Sequence, residues 1–239
     1  MTAVEARKKL KALASPEVAT TSAKFFKTGP GQYGEGDVFI GVRVPTLRKV
    51  ARDFRELPLV EVEALLHSPI HEERLLALLI LVVAAAKADE GHKQTIFNFY
   101  MSNTRFINNW DLVDSSAPAL VGAYLMDKSR KPLIVLAKSN DLWERRIAIV
   151  ATQHFIRQGE FDDTLKISQM LLSDKEDLIH KATGWMLREV GKQHEPTLEA
   201  FLEQHGAAMP RTMLRYAIER LPPAKRQEFL LGKSSAGIG

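Results

Sequence analysis

The feature that most constrains this chain is a helical hydrophobic period that recurs along its whole length, with almost no strand-type alternation. Segments such as PLVEVEALLH (58–67), TLKISQMLL (164–172) and TLEAFLEQ (197–204) place apolar residues three and four apart. That spacing gives a helix one apolar face, whereas a strand would scatter the same residues over both of its faces. Polar breaks recur between the segments, at Ser68-Pro69, Ser139-Asn140-Asp141, Ser173-Asp174 and Met209-Pro210. Ser and Asp ahead of an apolar run are natural N-caps, because their side-chain oxygens accept hydrogen bonds from unpaired amides of the first turn. The chain reads as all-α.

The breaks also reveal a repeat. SPIHEERLLALLIL from Ser68, SNDLWERRIAIVAT from Ser139 and SDKEDLIHKATGWML from Ser173 each run through a cap, an acidic turn, a basic residue and an apolar helix. Aligning the basic residues matches Arg74, Arg146 and Lys181, separated by 72 residues (two steps of 36) and then 35. An intermediate copy falls near position 110, where NNWDLVDSS supplies Trp110 and Asp114, and a further step reaches Arg215 in RTMLRYAIERL. A period near 35 residues is that of an α-solenoid of stacked antiparallel helix pairs. Equivalent positions of the inner helices then line one concave surface, so Arg74, Trp110, Arg146, Lys181 and Arg215 are expected to share a basic groove. A single domain is expected over residues 1–230, followed by a disordered tail, 231–239.

Composition removes several function classes. The chain has no cysteine among its 239 residues, which excludes disulfides, thiol catalysis and thiolate metal sites and fits a cytoplasmic setting. The longest apolar run, Leu75–Ala86, is 12 residues long. A membrane span needs about 20, so a buried helix is expected and no membrane insertion. The N-terminal MTAVEARKKLKALAS reads as a charged amphipathic helix rather than a signal peptide. The seven histidines are scattered, Pro69 lies between His67 and His71, and no HExxH occurs, so neither a metal nor another cofactor is expected. No nucleophile elbow is present. A net charge of +4 permits an acidic partner without requiring one. The glycine-rich segment 29–49 lacks the Gly-Lys-Ser/Thr of a phosphate loop. It reads as a loop feeding a helix that starts around Pro45, with Arg43, Arg48 and Lys49 as a phosphate-contact cluster.

The remaining residues with chemical potential are aromatic and acidic. Trp110, Asp111 and Asp114 form W-D-x-x-D at the start of one expected helix, Trp185 stands four residues after Lys181 on another, and Trp143 reads as core. If the groove takes DNA, two indoles with a carboxylate suit the departure of a cationic base. An aromatic face attracts such a cation by roughly 0.5–2 kcal/mol. A carboxylate stabilises the oxocarbenium charge that develops on the sugar and can orient water. The leaving base is activated by its own charge, so no general acid is needed. Without a placed amine nucleophile, simple hydrolysis is expected rather than a lyase route.

Through FIGVRVPTLRK, NNWDLVDSSAP, SNDLWERRIAIVATQHFIRQ and IHKATGWMLREVGK, taken in order over roughly residues 20–220, the sequence resembles the DNA alkylation repair family of HEAT-like-repeat glycosylases. The resemblance implies a C-shaped solenoid of six or so helix pairs with a basic concave face. It also implies excision of N3- and N7-alkylpurines from double-stranded DNA without the usual base flipping. Trp110 and Trp185 match the family's groove tryptophans, which contact deoxyribose and backbone, and Asp114 matches its catalytic carboxylate. Arg146 matches a backbone-binding arginine, and Arg188 aligns with a basic residue of the same face. The sequence departs from the pattern in three places. Phe25 or Phe26 stands where the family has a tyrosine, His154 occupies a basic position, and GPGQYGEGD has no counterpart. The expected activity is therefore that of a monomeric, monofunctional alkylpurine DNA glycosylase. The alternatives are a non-catalytic module for damaged or branched DNA and a HEAT-type interaction scaffold.

Overall fold

The computed structural model describes residues 1–232, and these are helix and connecting loop apart from one isolated parallel bridge between Val38 and Ile70. Of the expected tail, Leu231 and Gly232 form a turn and 233–239 lie outside the described residues. The contacts divide the chain into two compact units, 1–120 and 121 onward. The first unit contains α1 (Ala3–Ala12), α2 (Pro16–Phe25), α3 (Val44–Asp53), α4 (Leu59–Leu66), α5 (His71–Ala85), α6 (Glu90–Ser102) and α7 (Trp110–Ala117). The second contains α8 (Ala123–Leu125), α9 (Lys131–Ala137), α10 (Leu142–Ala151), α11 (Gln153–Arg157), α12 (Asp162–Met170), α13 (Asp177–Gln193), α14 (Glu195–His205), α15 (Arg211–Ala217) and α16 (Pro223–Leu230). The fold is an all-α stack of helix pairs: α3, α4 and α7 pack on α5, and α10, α14 and α15 pack on α13.

Local chemistry sets the helix starts. Thr2 and Glu5 form a reciprocal capping box on α1, and Ser15 caps α2 with Pro16 at its first position. As the sequence suggested, α3 begins beside Pro45, at Val44. No helix among the described residues is long and apolar enough to cross a membrane. The apolar run at 75–86 instead forms most of α5, which is buried at every position from His71 to Leu81.

That burial includes four consecutive ionisable side chains, His71, Glu72, Glu73 and Arg74. Buried charge is costly unless paired. Glu72 accepts hydrogen bonds from the backbone amides of Ile40, Gly41 and Val42, at 3.1, 2.7 and 3.2 Å. Glu73 takes the Arg7 guanidinium at 2.8 Å. Arg74 donates to Asp37 at 2.5 Å and to the carbonyl of Ser68 at 3.2 Å. The acidic start of this helix is therefore a set of tertiary anchors for α1 and the 37–42 loop, not a solvated first turn.

The structure also corrects the repeat register. Ser68, Ser139 and Asp174 each use a side-chain oxygen to accept from the amide two residues on, at Ile70, Asp141 and Glu176. These residues close a turn ahead of the helix, and the N-caps of α5, α10 and α13 are Ile70, Asp141 and Glu176. Six residues after each turn residue, Arg74, Arg145 and His180 donate back to its carbonyl, at 3.2, 3.0 and 2.6 Å. The repeating position is thus Arg74–Arg145–His180, one residue out of step with the alignment through Arg146 and Lys181. Counted from the helix starts, the fifth positions are Leu75, Asp114, Arg146, Lys181 and Arg215. Asp114, rather than Trp110, falls in line with the cationic positions, and Arg74 drops out.

Candidate nucleic-acid interface

The first turns of α7 carry the W-D-x-x-D motif. Asn109 caps the helix, its side-chain oxygen accepting from the Trp110 amide at 2.8 Å. Asp111, Leu112, Val113, Ser116 and Ala117 are buried, which leaves Trp110 and Asp114 half-buried one turn apart on the accessible side. Asp114 lies near the fully buried Tyr100, whose hydroxyl contacts Ser116 at 3.1 Å. Burial first, and then the Asp114 charge, push the Tyr100 phenol above its ordinary range. At the end of α7, Pro118 has no N–H to offer the Asp114 carbonyl, and the next stretch, Pro118–Gly122, runs as a π-helix.

The Trp110 ring rests on other aromatic rings. Phe26 stacks on it with centroids 5.2 Å apart and planes 18° apart, while Phe25 meets it edge-on at 5.9 Å. Phe25 and Phe26 therefore both touch Trp110. Phe26 in turn stacks on Phe39 at 5.0 Å, and Phe39 on His71 at 4.5 Å. Phe25 is 64% exposed.

Behind the rings is a polar cluster that sequence reading did not find. Nδ1 of His71 lies 2.9 Å from an Asp37 oxygen and Nε2 lies 2.8 Å from an Asp111 oxygen. Asn109 donates to Asp37 at 3.1 Å, and Arg74 occupies the other Asp37 oxygen. Burial opposes a charge on His71, but the hydrogen bonds and charges of Asp111 and Asp37 outweigh it and raise the ring's pKa to about 9. Burial likewise opposes ionisation of Asp37, yet His71 and Arg74 hold it below the usual carboxylate range. The two carboxylates lie at opposite nitrogens of one ring, so they do not converge on a common ion. Among the described residues no group of three or more His, Asp or Glu is arranged to hold a metal. Asp37 ends the GPGQYGEGD segment, 34 residues before His71 and 74 before Asp111. Only tertiary structure could have signalled this cluster.

In the second unit, α13 presents Lys181, Trp185 and Arg188 at i, i+4 and i+7, all partly accessible, while Ala182, Thr183, Gly184, Met186 and Leu187 are buried. Lys181 pairs with Asp177 at 2.8 Å, and Arg188 pairs with Glu219. Gly184 allows the close approach of α15, because a Cβ there would lie 2.4 Å from the Met213 carbonyl oxygen.

Two of the expected phosphate contacts are not placed for that role. Arg74 is 5% exposed and committed to Asp37 and Ser68, and Arg146 is 5% exposed and donates to the Leu178 carbonyl at 2.6 Å. Both fail for one reason: each guanidinium closes a contact between segments of its own unit. Arg43, Arg48, Lys49 and Arg215 are exposed. Trp143, read as core, is buried.

No protein of curated function matches the chain in sequence. Among solved structures it is similar to a predicted DNA alkylation repair enzyme from Enterococcus faecalis. That match has a TM-score of 0.69 and 17% identity over 88% of this chain and 97% of the other, a likeness of fold. The model of the DNA alkylation repair enzyme family matches residues 6–221, nearly the whole of the described chain. The chain belongs to the DNA alkylation repair enzyme family.

Proposed function

We propose that this protein is a monofunctional DNA glycosylase that hydrolyses the N-glycosidic bond of cationic N3- and N7-alkylated purines in duplex DNA without flipping the base. The observation that carries the reading is the placement of Trp110 and Asp114 one turn apart on the accessible side of α7, with Phe26 stacked on the indole and the His71 cluster beyond it. Trp110 offers a π-face to the sugar and to the departing cation. Asp114 stabilises positive charge as it develops on C1′ of the deoxyribose and orients the attacking water, which delivers its oxygen to C1′ and gives up a proton to the Asp114 carboxylate, and from there to solvent, while the base leaves with the bonding pair. Because the alkylated base leaves as a neutral molecule, no acid is required. Trp185 is assigned a second DNA contact, flanked on its helix by Lys181 and Arg188. Arg43, Arg48, Lys49 and Arg215 are assigned phosphates, as their exposure supports. The protein is taken to act as a cytoplasmic monomer.

The test is single-turnover release of N7-methylguanine from a methylated duplex, with Asp114→Asn beside wild type. The substitution is expected to slow release by about 100-fold or more, the scale of losing one electrostatic transition-state contact, and to leave DNA affinity within about threefold. Equal release by the two proteins removes Asp114 from the mechanism. No release by either, with salt-sensitive DNA binding intact, favours the non-catalytic DNA-binding alternative.

A further inference from the structure

The chemistry proposed for Trp110 and Asp114 makes no use of His71, yet both nitrogens of this buried ring are committed. An ionised carboxylate can only accept, so with Asp37 at Nδ1 and Asp111 at Nε2 both nitrogens must donate. The charges agree with this. Asp37 and Asp111 face His71 from the loop and from α7, Arg74 faces the cluster from α5, and a protonated ring brings the four to neutrality. Asn109, Phe26 and Phe39 also touch the cluster and bring no charge, while Glu72 and Glu73 turn away to the 40–42 amides and to Arg7. A neutral ring would leave one buried carboxylate facing a lone pair.

The cluster holds Trp110 from three directions. The preceding residue, Asn109, bonds Asp37 with its amide nitrogen and the Trp110 backbone with its oxygen. The following residue, Asp111, takes His71. The indole itself rests on Phe26, which contacts both His71 and Phe39.

We propose that His71, as an imidazolium shared between Asp37 and Asp111, is a positioning residue that fixes the peptide carrying Trp110 and so sets the place of the indole against the DNA sugar. This inference rests on the role given to Trp110 above, so its first two tests do not involve catalysis.

In the full chain with 15N-labelled histidine, His71 is expected to keep two N–H groups at neutral pH and lose one with a midpoint near 9. Asp111→Asn keeps a hydrogen-bonding group but removes the charge, and should lower that midpoint by more than one unit, at least a tenfold loss of proton affinity. A bare ring nitrogen at pH 7 in the wild type overturns the proposal whatever the activity. In a chain whose sole tryptophan is Trp110 (Trp143→Phe, Trp185→Phe), acrylamide quenching of its fluorescence should rise through the wild-type midpoint. With Asp111→Asn the rise in quenching should move to lower pH together with the ring's lowered midpoint. A purely structural histidine leaves the quenching unmoved, and quenching indifferent to pH in the wild type refutes the positioning role.

The third arm is single-turnover release at pH 7, where His71→Gln should be at least tenfold slower while its thermal transition stays cooperative. Release at the wild-type rate by a folded His71→Gln protein overturns the proposal. If that variant does not fold, the Asp111→Asn titration and quenching decide. If the wild type releases no base, the glycosylase reading fails and the first two arms still judge the clamp.

Discussion

At the scale of residues, burial separates two kinds of arginine that look alike in sequence. Arg74 lies inside the protein and holds Asp37, whereas Arg48 is exposed on α3. Replacing Arg74 with Met is expected to cost about 3–5 kcal/mol, because it removes one cation from a buried cluster of two carboxylates and two cations, and to leave the salt dependence of DNA binding unchanged. Replacing Arg48 with Ala should do the reverse, lowering the slope of log K against log salt by ~0.9 with little change in stability. Denaturation and binding titrations on the two variants check the assignment. His71 adds a pH signature. Its folded pKa of about 9 stands above the ordinary 6.5, so the stability it contributes is complete below about pH 6.5 and is lost as pH rises through 9. Asp37 is shifted the other way, and its contribution is lost only as pH falls through its lowered value. The urea midpoint of the first unit is expected to decline between pH 7 and 9.5 in the wild type. It should be lower and flat over that window in His71→Gln.

At the scale of elements, each helix start combines a turn, a cap and a returning side chain. The interval of 35 or 36 residues was visible in the sequence because Ser68, Ser139 and Ser173 precede similar runs. The register was not, because Arg145 and Arg146 are adjacent and it takes the bond from Arg145 to the Ser139 carbonyl to tell which of them matches Arg74. Glycine gives the clearest prediction at this scale. Gly184 sits where α13 meets α15, and a methyl group there would meet the Met213 carbonyl and Tyr216 Cβ at 2.4 and 2.6 Å. Gly184→Ala should destabilise by about 1–3 kcal/mol through overpacking, lowering Tm by ~2–4 °C per kcal/mol. Gly206→Ala, where nothing stands within 4 Å, serves as the control and should shift Tm little. Equal shifts in the two would show that α13 and α15 can part without cost.

At the scale of the whole molecule, a net charge of +4 is modest for a protein proposed to grip a polyanion. Local exposure matters more than the sum, since many of the cations already have partners. Arg7, Arg74, Arg130, Arg145 and Lys225 all face carboxylates. The cluster Arg43, Arg48 and Lys49 is exposed beside the start of α3. Removing all three is expected to reduce the salt slope of DNA binding by up to ~2.7, at ~0.9 per phosphate released. A flat salt response in the wild type would favour a protein-interaction scaffold instead.

By itself the sequence determined the helical class, the repeat interval, the start of α3 beside Pro45 and the burial of Trp143. These follow from hydrophobic period, capping chemistry and proline geometry, which act over a few residues and leave their mark there. Tertiary structure decided which charges stay at the surface. Asp37, His71 and Asp111 lie far apart in the chain, and nothing local distinguishes a carboxylate that faces water from one that holds a buried imidazolium. Arg74 and Arg146 looked like surface cations for the same reason, because the energy of a charge depends on the partners that folding brings to it.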